Sequence, residues 1–119
     1  MTADARISRV ATAAMDGATT AGDPIFVSAI PMVELQYLVE KGRLSAADQR
    51  IVVAAVDDLQ NPARLVPVDR IVVDALGRVN RDEVPDMPDR IIAATALALC
   101  VPLLSHDRKI RASSVETIW

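Results

Sequence analysis

Aromatic side chains are nearly missing from this sequence: one Phe, one Tyr and one Trp make up 3% of its 119 residues. Large rings therefore cannot build the interior, and Ala, Val, Ile and Leu must do so through many small aliphatic contacts. That composition suits helices packed on a buried sheet. Cysteine occurs once, at Cys100, which excludes an internal disulfide; its apolar surroundings predict a buried, inert thiol in a reducing cytosol. No apolar run approaches the ~18 residues of a membrane span, and no basic n-region precedes an apolar stretch at the N-terminus, so a soluble cytoplasmic protein with no membrane contact is expected. An excess of positive charge is also lacking. Thirteen Lys and Arg against 16 Asp and Glu leave a net charge of −3, which argues against a protein that holds nucleic acid by a broad positive field. Eight of the 13 basic residues fall from Arg64 onward, which still allows a local basic rim around an acidic centre.

Hydrophobic residues make up 51% of the chain and charged residues 24%, the balance of one compact domain spanning residues 1–119. Ser8 is placed to cap a helix through "RVATAAMDGA". "IFVSAI" (25–30) reads as a buried strand, and Pro31 as the first position of a helix ending at Gly42. Ser45 starts a second helix with apolar residues at helical spacing. "LVPV" is a strand, Asp69 opens another helix, and Asp86 opens the long helix that runs to Cys100. "VPLLS", "RKIRAS" and "VETIW" complete the chain as strand, helical turn and strand. Strands alternating with helices predict an α/β fold with parallel strands joined by right-handed crossovers.

That topology decides which residues can meet. A helix antiparallel to its strands starts at the strands' carboxyl edge, where open α/β sheets bind ligands. Glu34 comes after the first strand, Asp86 and Asp89 open the long helix, and Asp107 comes after "VPLLS", so three segments deliver carboxylates to one edge. Such acids repel one another unless compensated, and hard oxygen donors without a His–Cys pattern point to Mg²⁺ or Mn²⁺. The chemistry implied is attack of metal-activated water on a phosphodiester. Each acid also has a structural reading: Asp86 and Asp89 as a helix start, Glu34 as a helix-face acid, Asp107 as a turn residue. Ser105 and Arg90 are secondary candidates, for orienting a carboxylate or meeting phosphate, and a surface hydroxyl and an ion pair with Asp86 explain them equally well. His106 reads as a solvated loop residue.

"VSAIPMVELQYLVEKGRL", "PDMPDRIIAATALALCVPLLSHDRKI" and "VETIW" resemble the PIN-domain ribonucleases, in particular the VapC-like toxins of bacterial toxin–antitoxin modules. The resemblance covers the chain from about Ala3 onward. It implies a three-layer α/β/α fold with a short parallel sheet. It also implies endoribonuclease activity on RNA, an antitoxin partner and a homodimer. Glu34, Asp89 and Asp107 match three acids of the family's metal-binding quartet; Asp86 matches a frequent but less central acid, and Ser105 the Ser/Thr position before the last acid.

The family's first strand, the central one of its sheet and the carrier of the fourth acid, has no counterpart here. "MTADARISRVATAAM" resembles the stretch just after that strand, and Asp4 aligns with a loop residue. The expectation is an N-terminally truncated domain whose true start lies upstream of Met1; a decayed gene, or a gap closed by another segment or subunit, would leave the same pattern. The chain as written is then expected to be weakly active or inactive, and the alternative function is a catalytically silent domain that binds an antitoxin or an intact homologue. The aliphatic faces around Leu35, Leu38, Ile51 and Val52 are expected mainly in the core, with a partner or homodimer contact as their other use. A phospho-acceptor signalling domain fits poorly, since only Lys41 and Lys109 are available for its lysine.

Overall fold

The computed structural model describes residues 9–105 and 107–119. Helix α1 (Arg9–Thr20) leads into strand β1 (Ile25–Ser28), followed by α2 (Ala29–Glu40), α3 (Ala46–Asp57), β2 (Ala63–Val66), α4 (Arg70–Leu76), α5 (Met87–Leu99), β3 (Leu103–Leu104), α6 (Arg108–Arg111) and β4 (Thr117–Ile118). The α/β class with short parallel strands is as expected. Ser8 and His106 lie outside the described residues.

Local chemistry explains most helix starts. Ser45 accepts the Asp48 N–H at 3.0 Å, and Asp69 accepts that of Val72 at 3.1 Å, each satisfying a donor that the first helical turn leaves unpaired. Strand β1 ends two residues earlier than expected. Ser28 caps α2 by accepting the Ile30 N–H at 3.2 Å, which puts Pro31 third in the helix, where its missing N–H would have had no partner anyway. Gly42, at φ +72°, takes the left-handed position just beyond α2.

Cys100 corrects the expectation of a buried thiol. It stops α5 in the left-handed conformation, φ 57° and ψ 40°, and its side chain is exposed. The chain reverses at this residue, so the apolar periodicity of the helix no longer governs where its side chain points.

The core is assembled from the second half of the chain. Val72 and Ala75 of α4 pack with Val79, Val84, Ala93, Ala94, Ile110 and Val115, all under a tenth exposed. Helices α2 and α3 bury no residue, so the expected core placement of their aliphatic faces does not hold. Leu35 is half-buried, whereas Leu38, Val52 and above all Ile51, 68% exposed, face outward. No helix among the described residues is long and apolar enough to cross a membrane.

The sheet is divided. Strand β1 pairs in parallel with β2, Ile25 opposite Ala63 through Ser28 opposite Val66, and β3 pairs in parallel with β4, Leu103 opposite Thr117. No ladder joins the two pairs among the described residues. A cavity of about 620 Å³ separates them, lined by β1 on one side and β3 and Ile118 of β4 on the other.

Candidate metal centre

The site is built where helix starts meet strand ends. The Asp86 carboxylate accepts the Asp89 N–H at 3.2 Å and thereby caps α5. This fixes Met87, Pro88 and Asp89 as the first three helical residues and brings the Asp89 carboxyl beside that of Asp86. Glu34 sits in the second turn of α2, exposed. Asp107 lies beyond β3 and caps α6, its Oδ1 accepting the N–H groups of Lys109 at 3.0 Å and Ile110 at 3.1 Å. Ser105 positions that turn: its hydroxyl accepts the Asp107 N–H at 3.1 Å, while its own N–H donates to the Ile118 carbonyl at 3.2 Å.

These acids share one electrostatic neighbourhood. The Asp89 carboxyl is pushed above the usual carboxylate range, first by burial, then by the Asp86 and Asp107 charges, a hydrogen bond with Asp86 and the Glu34 charge. Burial disfavours its anion and three like charges repel it. Charges from α2, α5 and the β3–α6 turn therefore bear on one half-buried carboxyl. The donors are all carboxylate oxygens, the chemistry that Mg²⁺ or Mn²⁺ prefers. Among the described residues, however, no three acidic side chains stand close enough to ligate one ion together.

Arg90 lies elsewhere. One guanidinium nitrogen donates to the Leu76 carbonyl at 3.0 Å and the Val79 carbonyl at 3.1 Å, and Nε is buried without a hydrogen-bond partner. It ties the start of α5 to the end of α4 instead of pairing with Asp86, and the one ion pair among the described residues is Arg70–Asp74. Its partner carbonyls stand 14 and 11 residues away, which no local sequence pattern signals.

No curated protein and no solved structure is significantly similar to this chain. Comparison with known families does find a match, the PIN domain, over residues 2–114, a family whose members are typically metal-dependent nucleases. The match takes in the capped α5 start, the β3–α6 turn and Glu34, and the chain belongs to the PIN-domain family.

Proposed function

We propose that this chain is the ribonuclease toxin of a toxin–antitoxin pair. Metal-assisted endonucleolytic cleavage of RNA is its reaction, with Glu34, Asp89 and Asp107 holding Mg²⁺ or Mn²⁺. The observation that carries this reading is the PIN-domain match over residues 2–114, which takes in Glu34, Asp89 and Asp107; charges from two other segments also bear on the Asp89 carboxyl and repel its anion. A bound divalent ion would relieve that repulsion and lower the pKa of its water toward neutrality, supplying the nucleophile for a phosphodiester. The protein's part is to aim the carboxylates. Asp86 holds Asp89 in place through the cap, and Ser105 holds Asp107 through its N–H. The basic residues Arg108, Lys109 and Arg111 stand beside Asp107 on α6 and supply a local cationic rim for the RNA backbone.

The partner reading rests on the helical pair α2–α3. Val33 and Tyr37 of α2 and Ile51 of α3 are each at least half exposed, the kind of apolar surface that a protein partner covers. An antitoxin or a second copy of the chain would bury it, and both act in the cytoplasm.

The test is cleavage of single-stranded RNA with Mn²⁺, comparing the 119-residue chain with Asp89→Asn, alongside calorimetric titration of Mn²⁺ into both. The 119-residue chain is expected to take up Mn²⁺ and cleave weakly, and the variant to do neither. Equal cleavage by both would sink the assignment of Asp89.

A second reading is favoured by the absence of any three-acid cluster within ligating reach among the described residues. On that reading the domain is catalytically silent and serves as a binding partner. Antitoxin binding without Mn²⁺ uptake would select it.

A further inference from the structure

Of the eight basic residues from Arg64 onward, three are already engaged. Arg64 and Arg90 donate to backbone carbonyls, and Arg70 pairs with Asp74. The other five are exposed, and their side chains have neither an ion pair nor a hydrogen bond among the described residues. They are Arg78 and Arg81 on the α4–α5 connection, and Arg108, Lys109 and Arg111 on α6. Two short segments thus carry every uncommitted cation from Arg64 onward.

Packing holds these segments side by side. Val79 and Val84 of the connection lie in one buried cluster with Ile110 of α6 and Val115 just beyond it. Across the seam the Ser114 hydroxyl donates to the Glu83 carboxylate at 3.3 Å. Each segment is also fixed by its own bonds. The Asn80 side chain accepts the N–H groups of Asp82 at 2.8 Å and Glu83 at 3.3 Å, and the Asn80 carbonyl accepts that of Val84 at 3.0 Å. Arg78 and Arg81 therefore project from a constrained backbone on either side of buried Val79. On the facing segment, the Asp107 cap and the buried Ile110 hold α6 in place.

The two banks lead to the same acids. The connection ends at Asp86, which caps α5 beside Asp89, and α6 begins just after Asp107. The acids do not cancel the banks: Glu83 is turned to Ser114, and Asp86 and Asp107 accept helix N–H groups. Asp82 is the acid left among the cations of the connection. Cations on both sides with acids at the head suit a polymer of phosphates, which neutralises the banks and presents a phosphate oxygen to a divalent ion. An acidic peptide fits the banks but brings no phosphate to the acids. Neither bank carries an aromatic side chain, so no base stacks there and the hold is on the backbone, independent of sequence.

We propose that the α4–α5 connection and α6 form a two-sided cationic track for the backbone of single-stranded RNA, with Arg78 and Arg81 binding phosphates on one bank and Lys109 and Arg111 on the other. The choice of polyanion rests on the nuclease reading given above. Arg78 and Arg81 are phosphate-binding residues in this assignment and take no part in holding metal.

Binding of a fluorescent oligouridine of about 12 nucleotides, followed by anisotropy in EDTA so that nothing is cleaved, tests the track. The variant carrying Arg78→Gln and Arg81→Gln is compared with one carrying Arg43→Gln and Arg50→Gln, which removes the same charge from exposed positions on the α2–α3 side. The first is expected to bind at least ~10-fold more weakly and to lower the slope of log affinity against log salt by roughly 1.4, the loss of two phosphate contacts on a single strand. The second should stay within about two-fold of the unaltered chain, and Arg78→Lys with Arg81→Lys should retain binding, since charge alone is needed. Equal losses from both Gln variants would show that only net charge is sensed and would overturn the track. Unchanged binding in the first variant, or no binding by the unaltered chain, would overturn it as well. Displacement of the RNA by oligoglutamate at equal charge concentration would replace RNA with an acidic peptide as the occupant and overturn the proposal. No arm uses metal or cleavage, so a chain that binds in this way but never cleaves with Mn²⁺ loses the nuclease assignment and keeps the track.

Discussion

Asp86 and Asp89 are joined by a 3.2 Å hydrogen bond from the Asp89 N–H to the Asp86 carboxylate, so the residue that starts α5 is also the strongest of the charges pushing the Asp89 carboxyl upward. The two acids differ in what their removal does. Asp86→Ala is expected to cost about 1 kcal/mol of stability through the lost cap while leaving Mn²⁺ uptake within a few-fold of wild type. Chemical denaturation and calorimetry on the same protein check both halves of this statement.

Asp89→Asn should behave in the opposite sense. Because the folded-state pKa of Asp89 is raised, the folded protein binds that proton more tightly than the unfolded chain does. The ionised carboxyl therefore opposes folding above its folded pKa, and this penalty disappears as the pH falls below the unfolded value near 3.8. Without metal, Asp89→Asn is expected to raise the melting temperature slightly at pH 7 and to leave it unchanged near pH 3. The gain stays below ~1 kcal/mol, because the surrounding acids are exposed and solvent-screened. Added Mn²⁺ should reverse the order, stabilising the wild type by mass action and not the variant.

Asp107 combines two tasks that substitution can separate. Asn retains the capping oxygen for Lys109 and Ile110, whereas Ala does not. Asp107→Asn is expected to fold with near-native stability and lose cleavage; Asp107→Ala should lose cleavage and an additional ~1 kcal/mol of stability. Circular dichroism melts beside the RNA assay separate the two effects.

Arg90→Met strips the Leu76 and Val79 carbonyls of their shared donor. The expected cost is about 1–3 kcal/mol, with Mn²⁺ affinity unchanged in the folded fraction. A loss of Mn²⁺ binding without loss of stability would instead place Arg90 among the acids.

Cys100→Gly should stabilise the protein by about 1 kcal/mol, because glycine adopts the left-handed backbone at φ 57° without a Cβ penalty. A thiol reagent should label Cys100 in the folded protein as readily as in urea, since the side chain is exposed.

Features resting on adjacent residues were legible in the sequence. The starts of α3, α4, α5 and α6 at Ser45, Asp69, Asp86 and Asp107 depend on side chains that reach N–H groups two or three residues ahead. The order of strands and helices alone led to the expectation that Glu34, Asp89 and Asp107 share one edge; their charges bear on one another at Asp89, but no three acids among the described residues stand within ligating reach. The features that escaped depend on distant or reversed chain. Arg90 serves carbonyls on another helix, Cys100 sits where the backbone changes hand, and the start of α2 belongs to Ser28 because its hydroxyl acts before Pro31 is reached. The exposure of Ile51 and Val52 escaped for a related reason: helical spacing identifies an apolar face without naming what covers it.

The distribution of buried residues bears on how the site holds together over time. Every member of the main core cluster lies between Val72 and Val115, while residues 21–70, which hold β1, α2, α3 and β2, bury none. Cooperative units with few buried contacts open at low free energy without unfolding the remainder. Glu34 therefore rides on the breathing half of the molecule, and Asp89 and Asp107 on the anchored half. Proteases should nick the α2–α3 connection around Gly42 well before they reach the α4–α5 pair. A ligand gripping both halves would slow that cleavage by closing the weaker unit onto the stronger one.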